Sequence, residues 1–280
     1  MTARRKVLAA MAATVAAAAF SPLQAAEAFS KAAPLSIGDT FTIDSRHLGE
    51  TRRINVYMAR GWNDAPDAPL PVLYMPDGGL AEDFLHVAGL LQVSVANGTM
   101  RSFMLVGIEN TQRRRDLTGP TEEAEDRKIA PVVGGSAAYR SFIREELMPQ
   151  VKARYRTTQE SAIIGESLAG LFVMETFLQE PQLFDTYIAI DPSLWWNKRQ
   201  LLQQASAKLR AHKRLDKTLY VAASGEKGMP ELAQQLEAAL AGSKVAGLRW
   251  QLAPLPDETH LTVYHPAALR AFRSAFKPAA

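Results

Sequence analysis

Ser167 stands in Gly165-Glu166-Ser167-Leu168-Ala169-Gly170, a serine between small residues that follows an apolar, β-branched run and opens a helical pattern. This is close to G-x-S-x-G, with Ala169 at the last position and Gly170 one residue later, and such a string in a strand-to-helix turn is the setting of a nucleophilic serine, because the sharp turn lifts the hydroxyl clear of its neighbours. The helix N-terminus behind it favours developing negative charge. A serine acting only as a helix N-cap would satisfy the same string, so the reading depends on partners elsewhere in the chain.

A serine hydroxyl is a poor nucleophile until a base takes its proton. Of five histidines, His47 and His86 precede Ser167 and His212 falls in a basic helical segment. The chain order that accompanies this motif is nucleophile, acid, base. His260, in PLPDETHLTVYH, follows the last predicted strand, precedes the last predicted helix and is the expected base. His265 lies five residues further on, and the two histidines lack a third ligand for a metal, so no metal is expected.

The third partner should be a carboxylate that fixes the imidazole tautomer. Glu226, in VAASGEKG after the seventh predicted strand, is the expected acid, with Asp191, in AIDPSLWW after the sixth, as its alternative. Asp257 and Glu258 sit so close to His260 in sequence that a bond to its ring is harder to form. For the oxyanion, one donor should be the Leu168 amide and the other the Gly79 or Leu80 amide in YMPDGGLAEDF.

These residues need a scaffold that brings strand ends together. FTIDSRHLGETRRINVYMARGW (41–62) alternates apolar and polar residues about Leu48-Gly49-Glu50 and predicts a hairpin. Short apolar runs then recur at 71–75, 102–108, 161–165, 186–190, 218–223 and 248–253. Helical periodicity covers 81–96, 137–154, 168–179, 198–211, 230–241 and 266–276. This alternation predicts an α/β fold, a mostly parallel sheet behind an antiparallel N-terminal hairpin, with helices on both faces. Residues 110–135 form the longest irregular stretch, and a loop of that length in a compact domain is usually functional or mobile.

Residues 1–26 stand apart. Arg4, Arg5 and Lys6 precede an uncharged Ala-rich run and then small residues at Ala25-Ala26, the layout of a signal peptide, with an apolar run too short to span a membrane. The Arg4-Arg5 pair also fits twin-arginine export. The expectation is a periplasmic or secreted single domain over 27–280. The formal charge of +3 comes entirely from those three basic residues, and the remainder carries 29 of each sign. A balanced chain has no general pull on nucleic acid. With no cysteine there is no disulfide, thiol nucleophile or thiolate metal site.

The ordered landmarks VLYMPDGG, GIENTQRRRDLTGP, YRSFIREELMPQVKARYRT, GESLAGLF, EPQLFDTYIAIDPSLWWN and ETH cover most of the chain after residue 26. Together they resemble the putative-esterase family of α/β-hydrolases, which includes enterobactin and related siderophore esterases. The resemblance implies ester hydrolysis with Ser167 as nucleophile and His260 as base, without a cofactor. It also implies a small ester substrate, a ferric or iron-free catecholate trilactone, for which Arg113 and Arg115 would meet the anionic oxygens while Trp195 and Trp196 form an aromatic wall. Other family substrates, such as feruloyl or acetyl carbohydrate esters and short acyl thioesters, share these motifs, and a noncatalytic binding protein of the same fold is the rival from another class. Two departures stand out: Asp191 replaces the first serine of the family's usual Ser-Pro-Ser, and Thr262 follows His260-Leu261 where the family often shows Gly-Ser.

Overall fold

Eight strands make one sheet in the order β1-β2-β4-β3-β5-β6-β7-β8 in the computed structural model, which describes residues 32–278. The hairpin is β1 (Asp39–Ser45) and β2 (Glu50–Ala59), paired antiparallel from Asp39 opposite Val56 to Ser45 opposite Glu50. β2 runs antiparallel to β4 (Phe103–Ile108). From there β3 (Leu70–Pro76), β5 (Thr157–Glu166), β6 (Thr186–Ile190), β7 (Thr218–Ser224) and β8 (Arg249–Leu255) continue in parallel. The sheet is that of the α/β-hydrolase fold.

The continuous apolar runs have a plain cause: every residue of β3, β4 and β6 is buried, as strands covered on both faces require. Neighbouring residues then feed opposite cores. Leu73, Ile164 and Ile188 point into one, with Phe84, Leu91, Phe272 and Phe276. Tyr74, Ile163 and Tyr187 point into the other, with Phe172, Phe177 and Leu236. The first core lies under α1 (Phe84–Ala96) and the C-terminal helix; the second lies under the helix that follows Ser167.

The stretch 110–135 is less irregular than its composition suggests. It contains two short helices, α2 (Arg113–Leu117) and α3 (Ala124–Ile129). Arg52 on β2, fully buried, pairs with Asp116 and Glu50, and Arg115 reaches both of those carboxylates at 2.7 and 2.6 Å. This four-residue cluster staples the segment to the hairpin. The expected helix over 137–154 is split by a π turn, Ile143–Leu147, between α4 (Ser136–Phe142) and α5 (Met148–Arg154). Beyond β5 come α6 (Leu168–Gln179), α7 (Trp196–Arg210), α8 (Met229–Ser243) and α9 (Tyr264–Ala275).

Residues from Ile37 onward form one compact unit, and the expected signal over 1–26 lies outside the described residues. Among the described residues no helix is long and apolar enough to cross a membrane.

Candidate active site

Three non-glycine residues at the carboxyl ends of parallel strands adopt positive φ: Asp77 after β3 (58°), Ser167 after β5 (60°) and Asp191 after β6 (43°). Backbone in this region is strained for residues with a side chain and persists only where the surroundings hold it. At Ser167 the hold is visible. Its amide donates to Ile190 O at 3.0 Å and its carbonyl accepts from the amides of Leu171 and Ser193. The flanking glycines are required by space. A Cβ on Gly165 would lie 2.6 Å from the Ala169 carbonyl, and one on Gly170 would lie 2.9 Å from Ile190 O.

The turn brings Ser167 Oγ to 3.0 Å from His260 Nε2. On the other side of the ring, Nδ1 lies 2.7 Å from Asp191 Oδ2. Asp191 is fully buried, and its carboxylate accepts from the Ser224 amide (2.7 Å) and the Ser224 hydroxyl (2.9 Å). The bond to Asp191 raises the His260 pKa above the ordinary imidazole value; burial opposes it, and the charges of Glu166 and Glu226 add to it. A hydroxyl bonded to an imidazole whose far nitrogen rests on a buried carboxylate can undergo base-assisted attack on an acyl carbon.

The structure sets Asp191, the alternative acid, against the ring in place of Glu226. Glu226 does not touch the ring; it is exposed, and its carboxylate accepts the backbone amide of His260 at 2.8 Å. Residue 226 stands two positions past the end of β7, at the rim, whereas Asp191 follows β6 directly, and β6 is the neighbour of the serine-bearing strand in the register Glu166 opposite Ile190. The departure Ser-Pro-Ser to Asp-Pro-Ser was the signal in the sequence that pointed there.

Of the expected oxyanion donors, Leu168 opens α6, where the first amides have no intrahelical acceptor. The Gly79 amide is taken: it donates to Glu82 Oε2 at 2.7 Å. The Leu80 amide has no acceptor and is the expected loop donor left free, although Gly79 and Leu80 line a separate cavity with Arg53 and Asn110 and not the cleft of Ser167.

Ser167 and His260 line a cleft of about 360 Å³ with Asp83, His86, Arg113, Glu166, Leu261, Thr262, Tyr264 and His265. Four expected substrate contacts fare differently. Arg113 lines the cleft, yet it holds Asp77 in a two-pronged bond of 2.6 and 2.8 Å. Arg115 is held in the cluster with Glu50 and Asp116, away from the cleft. Trp196 is buried in the core beside a small separate cavity, and Trp195 packs half-buried against the same core; neither lines the cleft. The aromatic wall expected from them is therefore absent from the cleft lining.

Glu166, His86 and His265 are the cleft residues that motif reasoning passed over. Glu166 Oε1 approaches His260 Nε2 at 3.4 Å, and burial pushes its carboxyl up to about 7, against the pull of His260 and Arg113. No group of three or more His, Asp or Glu residues suited to a metal occurs among the described residues.

A family model described as "Putative esterase" matches residues 45–264. The chain belongs to this esterase family. It is a serine ester hydrolase by that membership. Among curated proteins it is 27% identical to the ferri-bacillibactin esterase BesA of Bacillus subtilis, over 82% of this chain and 86% of that protein. It is 32% identical to a siderophore triacetylfusarinine C esterase of Aspergillus fumigatus, over 64% of each chain. Among solved structures, an IroE-like serine hydrolase from Shewanella oneidensis superposes with a TM-score of 0.76 at 27% identity, covering 86% of this chain and 80% of that one.

Proposed function

We propose that this esterase is exported and opens ester bonds of a siderophore by a Ser167-His260-Asp191 mechanism. The observation that carries the reading is the continuous hydrogen-bonded line from Ser167 Oγ through the His260 ring to buried Asp191, at 3.0 and 2.7 Å. The substrate class is supported by the curated relatives, whose names assign them to siderophore esters. Export is supported by the charged, apolar and small-residue order of residues 1–26.

In this mechanism Asp191 accepts Nδ1–H, which leaves Nε2 as an acceptor facing the serine. Ser167 Oγ attacks the ester carbonyl while its proton passes to Nε2. The carbonyl oxygen becomes an oxyanion, met by the Leu168 and Leu80 amides. Collapse of the tetrahedral intermediate breaks the bond to the alcohol oxygen, which leaves with the proton from Nε2. Water then repeats the sequence on the acyl-enzyme, with Nε2 again taking and returning a proton, and the carboxylic acid departs.

The test incubates the protein beginning at residue 27 with a catecholate trilactone, iron-free and ferric, and follows ring opening by mass spectrometry beside Ser167→Ala. Opening that disappears in the variant is the expected result. Intact trilactone together with Ser167-dependent cleavage of nitrophenyl butyrate would remove the siderophore substrate and keep the esterase.

A further inference from the structure

The cleft around Ser167 contains a carboxylate that the hydrolytic mechanism does not use. Glu166 is the last residue of β5, and the two-residue period of the strand turns its side chain to the same face as Ile164, the face covered by α1 and α9. His260 lies on the loop that enters α9, and Glu166 Oε1 comes to 3.4 Å from its Nε2, the nitrogen that also faces Ser167 Oγ at 3.0 Å. The Glu166 side chain is only 16% exposed, yet it receives no hydrogen bond from any described residue. A carboxylate drawn out of water without a donor costs stability, so packing does not account for it. Three neighbouring acids are engaged: Asp191 by Ser224, Asp77 by Arg113 and Asn110, and Glu226 by the His260 amide.

We infer that Glu166 is a positioning residue that steadies the protonated His260 ring at Nε2, opposite the hold of Asp191 at Nδ1. This rests on the Ser167-His260-Asp191 reading above and adds a second carboxylate to it. When Ser167 Oγ attacks the ester carbonyl, its proton moves to Nε2 and the ring becomes an imidazolium between two carboxylates. Asp191 lies 2.7 Å from Nδ1 and Glu166 lies 3.4 Å from Nε2. Glu166 takes no proton in this step. Its charge lowers the energy of the ring that has taken one, and so of the transition state in which that ring forms. The proton then passes from Nε2 to the leaving alcohol oxygen, and the attraction lapses with the charge.

The surroundings decide when Glu166 is charged. Burial pushes its carboxyl up to about 7; His260 and Arg113 oppose the rise, and Asp77 and Asp191 add to it. Arg113 is already held by Asp77 through two bonds of 2.6 and 2.8 Å, which leaves less of its charge for Glu166. On the helix side, Asp83, His86, Tyr264 and His265 complete the ionisable lining. Burial raises the pKa of Asp83, with Asp77 adding to it, lowers that of His86 and lifts that of Tyr264 well above its usual value. His86 and Tyr264 are therefore uncharged just above neutral pH. From the β7 side, Glu226 adds to the attraction that the ring feels from Asp191 and Glu166. Above about pH 7 Glu166 is an anion against Nε2, and below it the attraction fades as the carboxyl takes a proton.

The test follows kcat/KM for nitrophenyl butyrate from about pH 5 to 9 in the wild type, Glu166→Gln and Glu166→Met, with Ser167→Ala as control. Both Glu166 variants keep the length of the side chain and remove its charge. On the alkaline plateau kcat/KM should fall about tenfold in each, the low end of what an opposite charge at this range does to a proton equilibrium. The acid limb should move to lower pH at the same time, so that the ratio of variant to wild type climbs as pH falls. Melting midpoints on the plateau should rise in both variants, because a buried carboxylate without a donor has been removed. A loss of equal size at every pH with the limb unmoved, or wild-type kcat/KM in both variants, would overturn the inference. So would a loss confined to Glu166→Gln, whose amide can donate to Nε2 and block it without any role for charge. Turnover at wild-type rates in Ser167→Ala would instead remove the mechanism on which the inference rests.

Discussion

The strand-end cleft and the arginine-rich segment both gather ionisable residues and use them in opposite ways. In the segment, Arg52, Arg115, Glu50 and Asp116 face one another, and Arg113 reaches across to Asp77. These guanidinium groups take their carboxylate partners from within the fold, and they hold residues 110–135 in place. In the cleft, Ser167 and His260 face the space a ligand would enter, Ser167 on a strained turn fixed by its neighbours. A charged run in a sequence names the groups but not their partners, and the partners decide whether a charge binds a ligand or holds a loop.

The largest effect should separate the two acids that bond to His260. Asp191→Asn should lower kcat/KM by about 10⁴-fold, because the ring loses the group that fixes its tautomer. Glu226→Gln keeps an acceptor for the His260 amide and should stay within about tenfold of the wild type. Reversal of the two effects in a kinetic comparison would return the role to Glu226.

Next in size is a stability effect in the arginine-rich segment. Asp116→Asn leaves buried Arg52 with Glu50 alone, and it should cost about 3 kcal/mol in denaturant unfolding while the folded fraction keeps kcat within a few-fold. A loss of kcat matching the Asp191 variant would mean that the segment belongs to the chemistry after all.

The pH dependence should be set by the carboxylates around the ring. His260 must be neutral to take a proton, and its pKa is raised, chiefly by Asp191. The rate should therefore fall as pH drops through a midpoint above 6.5, the ordinary imidazole value. Glu166, pushed up to about 7 and 3.4 Å from Nε2, titrates in the same range, so the limb belongs to the pair. Glu166→Gln removes one attraction for the imidazolium and should move the acid limb to lower pH. For stability, both groups have folded pKa values above their unfolded ones. Their contributions are complete below about 4.5 for Glu166 and 6.5 for His260, and they disappear as pH rises through the folded values. The smallest effect expected is thus a flatter fall in unfolding midpoint between pH 5 and 8 in Glu166→Gln, read by thermal melts; an unchanged profile would mean that Glu166 titrates normally.

Most of the fold was legible in the sequence because parallel strands buried on both faces read as unbroken apolar runs, as at 71–75 and 186–190. Ser167 and His260 were legible because a motif and a chain position single them out. The acid was not, since Glu226 and Asp191 follow β7 and β6 on the same side of the serine-bearing strand, and only the fold shows which carboxylate meets the ring. The His86–His265 pair at the cleft had no local signal. Its two rings are brought together by α1 and α9 from opposite ends of the chain, under one face of the sheet.

The most direct test of the central claim is labelling of the intact protein with a fluorophosphonate, followed by peptide mass spectrometry and esterase assay. The account predicts one adduct, on the peptide containing Ser167, formed more slowly as pH falls, with labelling and ester turnover both lost in Ser167→Ala. An adduct on another residue, or turnover that persists at wild-type rates in Ser167→Ala, would contradict it.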